Sequence, residues 1–384
     1  MLFGIYLSAY HVKLDHRVPR MNKKLLAPHN LPLYGMGFLL FMVVLFPSYS
    51  EEVGEVSYLQ QGATLVRNTK SMQLDFSSPI ENYDLVKTDS SGLVEIHLYE
   101  ETGIQGSLLV KPSSSFYLDL SLLSEGGKAR IELLSGSVAP KAIKLMGKSS
   151  LEVRAGNVSM GVRGTTFEVV TAPDGSILIA CEEGQVRCEA EDGTILFAEP
   201  GSAVESTPEQ GFRNIPIMFQ DLETFRRNWH AERIEAFRSN PHRALGNFAR
   251  RYLEWKEKFD EAYKTLMVRY EILDKWFRED RAGRIGAMAE ILREKRLIIR
   301  PLLNLRKNSF LFEKVYYRLL ELREYYKQGM IRGDLGNGMT AEQFFRRFDN
   351  EAVDLEEKMN VFRHTLKLFA KRNDGVSIID TMEN

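Results

Sequence analysis

The chain has 384 residues, with 51 lysines and arginines against 52 aspartates and glutamates, and only two cysteines. Its length has room for two domains. Balanced charge without a dense basic block argues against a nucleic-acid binder, and two cysteines without clustered histidines do not make a zinc centre. Charge is nonetheless segregated, with a net −10 over residues 51–204 and a net +5 over residues 205–384. Opposite signs favour docking of one half on the other, or separate partners.

Residues 1–50 read as an export signal. Asn22-Lys23-Lys24 supplies positive charge, Leu31 to Pro47 is mostly apolar, and Ser48-Tyr49-Ser50 places small residues three and one before a cut ahead of Glu51. The unbroken apolar core, Gly37 to Phe46, is shorter than the roughly twenty residues a bilayer span requires. Cleavage after Ser50 is the first reading, and an uncleaved signal anchor is the alternative. Met21 begins a better-proportioned signal than Met1.

Residues 53–204 are expected to be all-β. Alternating segments such as Glu95-Ile96-His97-Leu98-Tyr99 and Phe116-Tyr117-Leu118-Asp119-Leu120 imply one buried and one wet face. Short strands at such regular spacing suggest a sandwich, a barrel or a short β-solenoid. Gly161-Val162-Arg163-Gly164-Thr165 is a glycine-bounded turn that runs into the β-branched segment Thr166 to Val170. Cys181 and Cys188 flank Glu183-Gly184. With that dipeptide as a hairpin turn, Cys181 stands opposite Val186 and diagonal to Cys188. The placement leaves two readings open, a disulfide in an oxidising compartment or two small buried hydrophobes.

Residues 205–217 read as a linker, residues 218–373 as an elongated antiparallel helical bundle or coiled coil, and residues 374–384 as a tail. Phe219 to Phe237 predicts a shorter helix. Asn240-Pro241 is a capping side chain followed by a proline suited to the first turn. From there a seam through Leu245, Tyr252, Phe259, Leu266 and Trp276 predicts one long helix, with Arg269 as its single break. Pro301 is expected to kink or end the helix around Ile285–Ile299. A second seam runs from Phe312 to Tyr326, and a third begins after Thr340, where Gln343 completes a capping box. Such a rod would expose large sides suited to protein contact, self-association included.

No segment carries an enzyme signature. There is no Gly-x-Ser-x-Gly elbow, and the glycine-rich Gly329 to Gly338 stretch lacks the Gly-Lys-Ser/Thr of a phosphate loop. The seven histidines are scattered and read as surface or capping residues. The expectation is therefore a non-enzyme with no cofactor and no metal.

Four segments, in order, resemble the FecR domain family. They are Asp84-Leu85-Val86-Lys87-Thr88 with Gly92 to Leu98, Ile131 to Val138 around Gly136, Val162-Arg163-Gly164-Thr165-Thr166-Phe167-Glu168-Val169, and Glu183-Gly184-Gln185-Val186. The resemblance covers roughly Val53 to Val204. It implies an exported β-rich module that binds another envelope component or transmits its state, and it carries no catalytic residue over. Asp84, Thr88, Gly136, Val162, Arg163, Gly164, Thr165, Phe167 and Gly184 are then structural signature positions.

The expected role is a non-catalytic binding or scaffolding protein, periplasmic or envelope-associated. Its expected partner is an envelope protein or a glycan, with the membrane touched only through an uncleaved N-terminal segment. The alternative is an inner-membrane-anchored FecR-type signalling regulator. Iron-uptake regulators of the family carry an anti-sigma segment before a membrane span. This sequence has a signal-like stretch in that place and adds a helical half.

Overall fold

Strict alternation of buried and outward residues makes residues 52–216 a two-sheet structure. The computed structural model describes residues 52–120, 128–146, 150–162, 164–218, 221–335 and 338–375. The signal-like segment 1–50, Arg163 and the tail beyond Gly375 lie outside the described residues. The strands begin with β1 (Glu52–Gln60), β2 (Ala63–Arg67), β3 (Lys70–Gln73), β4 (Pro79–Glu81), β5 (Leu85–Thr88) and β6 (Leu93–Leu98). They continue with β7 (Ile104–Val110), β8 (Ser115–Asp119), β9 (Lys128–Ser135), β10 (Ser137–Leu145), β11 (Ser150–Ala155) and β12 (Val158–Val162). The last are β13 (Thr166–Thr171), β14 (Ile177–Glu183), β15 (Val186–Ala190), β16 (Ile195–Ala198), β17 (Ser202–Thr207) and β18 (Gly211–Pro216).

The first sheet, sheet A, has the order β18-β17-β14-β13-β10-β7-β6-β1-β4, and sheet B has the order β16-β15-β12-β11-β9-β8-β5-β2-β3. The chain mostly lays two strands in one sheet and then crosses to the other. Inward residues of both sheets, including Val56, Ile96, Phe116, Ile131, Met160, Phe167, Val169 and Cys188, form one core. Burying such apolar surface contributes about 25 cal/mol per Å². Of the three β arrangements expected, the chain adopts the sandwich.

The expected linker is not one. Residues 205–216 complete β17 and form β18, which pair antiparallel from Ser202↔Pro216 to Thr207↔Gly211. The pattern over Gly211–Pro216 gave no strand signal because most of its side chains face water at a sheet edge.

Five helices follow among the described residues: α1 (Leu222–Ser239), α2 (Pro241–Met267), α3 (Tyr270–Arg281), α4 (Met288–Lys327) and α5 (Ala341–Lys371). Asn240 accepts from Arg243 N at the start of α2, and Thr340 and Gln343 make the expected capping box. The single long helix expected from Asn240 to Trp276 is two helices. Arg269, the break in the seam, takes a non-helical backbone at the N-cap of α3. Pro301 lies inside α4 and does not end it. Its ring removes one hydrogen bond, but Ile298, Leu302 and Leu305 around it are fully buried in the helical core and hold the helix through it.

The helical region does not stand apart as a separate rod, since residues 50–384 form one compact unit. Helix α1 lays Phe225 and Trp229 over Leu178, Ala180 and Ala203 on the outer face of sheet A. Val66, Leu85, Tyr117 and Leu134 on the outer face of sheet B join the aromatic core of α2, α4 and α5. Ion pairs of the sense expected from the charge segregation cross both contacts, with Arg226 Nε 2.9 Å from Glu168 and Arg306 Nη2 3.0 Å from Asp119.

Candidate functional site

The outer face of sheet B changes character from one edge to the other, and that gradient builds the site. Cross-strand register aligns two rows of outward side chains. One runs Val66, Leu85, Tyr117, Glu132, Arg154, Ser159, Glu189, Ile195. The other runs Asp119, Arg130, Glu152, Gly161, Arg187, Phe197. The apolar start of the first row lies under the helices. The middle is charged, and its inner part is buried. The far end, over β12, β15 and β16, is open, and Ile195 and Phe197 are exposed at the edge.

Helix α4 forms a wall beside this open face. Leu303, Lys307, Phe310 and Lys314 of α4 face Glu152, Arg154, Asn157, Ser159 and Glu189 across a groove of about 610 Å³. That volume lies in the range of small-ligand sites. The groove's lining holds four bases (Arg154, Arg306, Lys307, Lys314) and four acids (Glu132, Glu152, Glu189, Glu191). Its floor at Ser159 has little side chain, and Gly161, the next outward position of β12, lies beyond the lining beside Glu152. A Cβ placed on Gly161 would meet nothing closer than 4.0 Å.

Paired charges line the inner wall. Arg130 Nε donates to Glu152 Oε2 at 3.1 Å, and Arg154 Nη1 stands 3.6 Å from Glu132 Oε1. Arg154 and Lys314 each sit 3.6 Å from the centroid of the Phe310 ring. Two cations that close must occupy opposite faces, so protein cations take both faces of Phe310. Lys314 Nζ donates to Gly156 O at 2.8 Å. Burial pushes the Lys314 amine down to about 7, against the pull of Glu132. Burial also raises Glu132, although Arg154 and Lys314 favour its charged form. Glu132 is 1 % exposed, and its Oε2 has no hydrogen-bond partner. Deeper in, Asp119 accepts from Tyr83 Oη at 2.8 Å and from Arg306 Nη2 at 3.0 Å.

The signature residues lie elsewhere and shape the frame. Thr88 Oγ1 donates to Lys111 O at 2.7 Å and accepts from Ser114 N at 2.9 Å. Asp84 is buried, accepts from Arg67 Nε at 3.0 Å and from Glu81 N at 2.8 Å, and burial lifts it to about 6 despite Arg67. Gly136 has φ +86°, and a Cβ there would stand 2.5 Å from Ser114 Cα. Val162 and Phe167 are core residues. Gly164 and Gly184 also take positive φ, and Gly184 closes onto Thr165. Arg163 lies outside the described residues. None of the described signature residues lines the groove.

The hairpin expected around Glu183-Gly184 is a corner between sheets. β14 pairs with β13 and β17, and β15 pairs with β12 and β16. Cys181 and Cys188 therefore sit in different sheets, both buried as free thiols. Their Sγ atoms donate to Glu183 O at 3.2 Å and Val186 O at 3.6 Å. Burial pushes Cys188 up to about 12 and raises Cys181 as well.

The groove residues were not singled out from sequence. The usable signal was the charged alternate positions in Leu151-Glu152-Val153-Arg154-Ala155 and Val186-Arg187-Cys188-Glu189-Ala190, which mark a polar outer face. Helical spacing alone could not bring Phe310 and Lys314 to that face.

Residues 84–187 match the FecR protein family. Two crystal structures of a candidate anti-sigma factor from Parabacteroides distasonis are similar at 11 % identity and a TM-score of 0.28. The match covers 34 % of this chain and 59 % of theirs, so it spans about three-fifths of the length of that protein. No curated protein matches the chain. Among the described residues no helix is long and apolar enough to cross a membrane.

Proposed function

The chain carries a FecR domain over residues 84–187, and from that premise we propose that it is a non-catalytic, exported envelope protein that binds a partner through this domain. The observation that carries the reading is the groove between the open end of sheet B and α4, where paired charges surround a floor at Ser159. The helical region acts as a fixed scaffold, docked on both outer faces of the sandwich, and forms one wall of the site. An envelope protein or a glycan is the partner, and the protein works in the periplasm or on an envelope surface.

The test is a photocross-linking residue at Ser159, compared with one at Lys70 on the exposed edge strand β3. Irradiation of intact cells should give discrete adducts from Ser159 and none from Lys70. Equal or absent labelling at both positions would overturn the groove as the binding face.

A second reading, an anchored FecR-type signalling regulator, is favoured by the ion pairs that couple helix and sheet, such as Arg306 with Asp119. A state change in the helices would reach the sandwich through them. N-terminal sequencing of the mature protein decides between the two: a start at Glu51 sinks the anchored form, and a retained segment from Met21 supports it.

A further inference from the structure

We infer that the groove is built for an uncharged saccharide chain; this deepens the binding role proposed above and rests on it. The first observation is charge. Four bases and four acids line the groove, so it has no excess of either sign to draw a polyanion or a polycation. The bases and acids interleave, with Arg154 beside Glu152 on β11 and Lys307 and Lys314 of α4 facing Glu189 and Glu191. A ligand that both donates and accepts at short intervals satisfies such walls, and sugar hydroxyls do so without carrying charge into a partly buried site.

The second observation is shape. Outward residues on neighbouring strands stand about 5 Å apart, close to the length of one sugar ring. Ser159 leaves the trough between the charged walls shallow, and Gly161 continues it without a side chain beyond the lining, so a ring can lie flat along β12. A volume of about 610 Å³ suits a few rings.

The third observation is the aromatic end. Beyond the groove's lining the same outer face runs through Gly161 and Arg187 to Phe197, which is 44 % exposed and offers an apolar surface to sugar C–H groups. Phe310 cannot play that part because Arg154 and Lys314 occupy its faces. On the inner wall, Glu132 Oε2 is a buried acceptor without a donor, suited to a hydroxyl.

Calorimetric titration of the full exported chain with cellotetraose, chitotetraose and maltotetraose tests the assignment, with inorganic polyphosphate and a mixed-sequence extended peptide as the other arms. At least one tetrasaccharide should bind, with an affinity that hardly changes between low and high salt. Gly161→Leu adds a side chain beside the lining residue Glu152, at a position where an added Cβ meets nothing closer than 4.0 Å and the backbone angle is ordinary. It should keep the wild-type melting temperature and weaken binding at least about tenfold, equivalent to about 1.4 kcal/mol. Phe197→Ala should weaken it in the same direction. Binding of none of the three sugars, sugar binding unaffected by Gly161→Leu, or tighter binding of polyphosphate or peptide would each overturn the saccharide assignment. Adducts from Ser159 without any sugar binding would leave the binding role standing and remove only the sugar. Neither adducts nor binding would remove both.

Discussion

Gly184 closes directly onto Thr165: a Cβ at Gly184 would lie 2.7 Å from Thr165 Cγ2 and 3.1 Å from Gly164 O. Two signature segments twenty residues apart in sequence thus meet as one packed corner. There the chain leaves β14 in sheet A for β15 in sheet B. Gly164 also has positive φ, +65°, but nothing lies within 4 Å of its missing Cβ.

The two glycines should therefore respond differently to alanine. Gly164→Ala costs only left-handed backbone strain, about 1–2 kcal/mol. Gly184→Ala adds overlap with Thr165 and should cost about 3 kcal/mol or more. Urea unfolding of both variants measures this, and equal losses would contradict the packed corner.

Stability should rise with pH above neutrality because of Lys314. Its ordinary value is 10.5, and burial lowers it to about 7 in the fold. Below pH 7 both folded and unfolded chains hold the proton. Between pH 7 and 10.5 only the unfolded chain does, so stability rises with pH by at most about 1.4 kcal/mol per unit. Glu132, Glu152 and Glu191 face the amine and raise it, and Arg154 lowers it further. Lys314→Met should flatten the curve between pH 7 and 9 relative to wild type and be the more stable at pH 7. Parallel curves would contradict the buried amine.

Arg306 neutralises Asp119, whose carboxylate is fully buried. Arg306→Met leaves the carboxylate without that cation and should cost about 3–5 kcal/mol. Tyr83→Phe, which removes one hydrogen bond to the same group, should cost about 1 kcal/mol. Hydrogen exchange should quicken in α4 and β8 of the Arg306→Met protein. Unchanged exchange would mean that the pair does not hold helix to sheet.

At the start of α5, Thr340 accepts from Gln343 N at 3.2 Å and Gln343 Oε1 accepts from Thr340 N at 2.9 Å. Thr340→Ala should destabilise by about 1 kcal/mol. Thr340→Ser, which keeps the oxygen, should lie near wild type in thermal melts.

Cys181 and Cys188 are buried thiols raised above their ordinary value, so a thiol-reactive dye should leave the native protein untouched. After denaturation it should label both. Protein isolated from an oxidising compartment that labels neither when unfolded would show a bond between them.

Much of the frame was legible. Asn240-Pro241 and Thr340 with Gln343 act within one helical turn, and their caps form as read. The alternation in Leu151 to Arg154 fixes which face of β11 is buried. The edge strand β18 was missed because its outward side chains carry no apolar alternation. Of the two outcomes expected at Pro301, the helix does not end there, because a proline's local cost says nothing of the packing at Ile298 and Leu302 that carries the helix on.

By itself, the sequence determined the FecR signature, the all-β character of the first half, the helical character of the second, and the opposite charges by which they meet. The signature is read by resemblance to the family, and the rest follows from local periodicity, turn chemistry and composition. Only the tertiary structure decided that Cys181 and Cys188 belong to different sheets and that Ser159 lies on the floor of a groove. It alone brought Phe310 and Lys314 of α4 beside Arg154 of β11. The reason is physical: strand order and helix docking are set by which faces bury one another, and the groove's residues are spread from Glu132 to Lys314, far beyond the range of any local pattern.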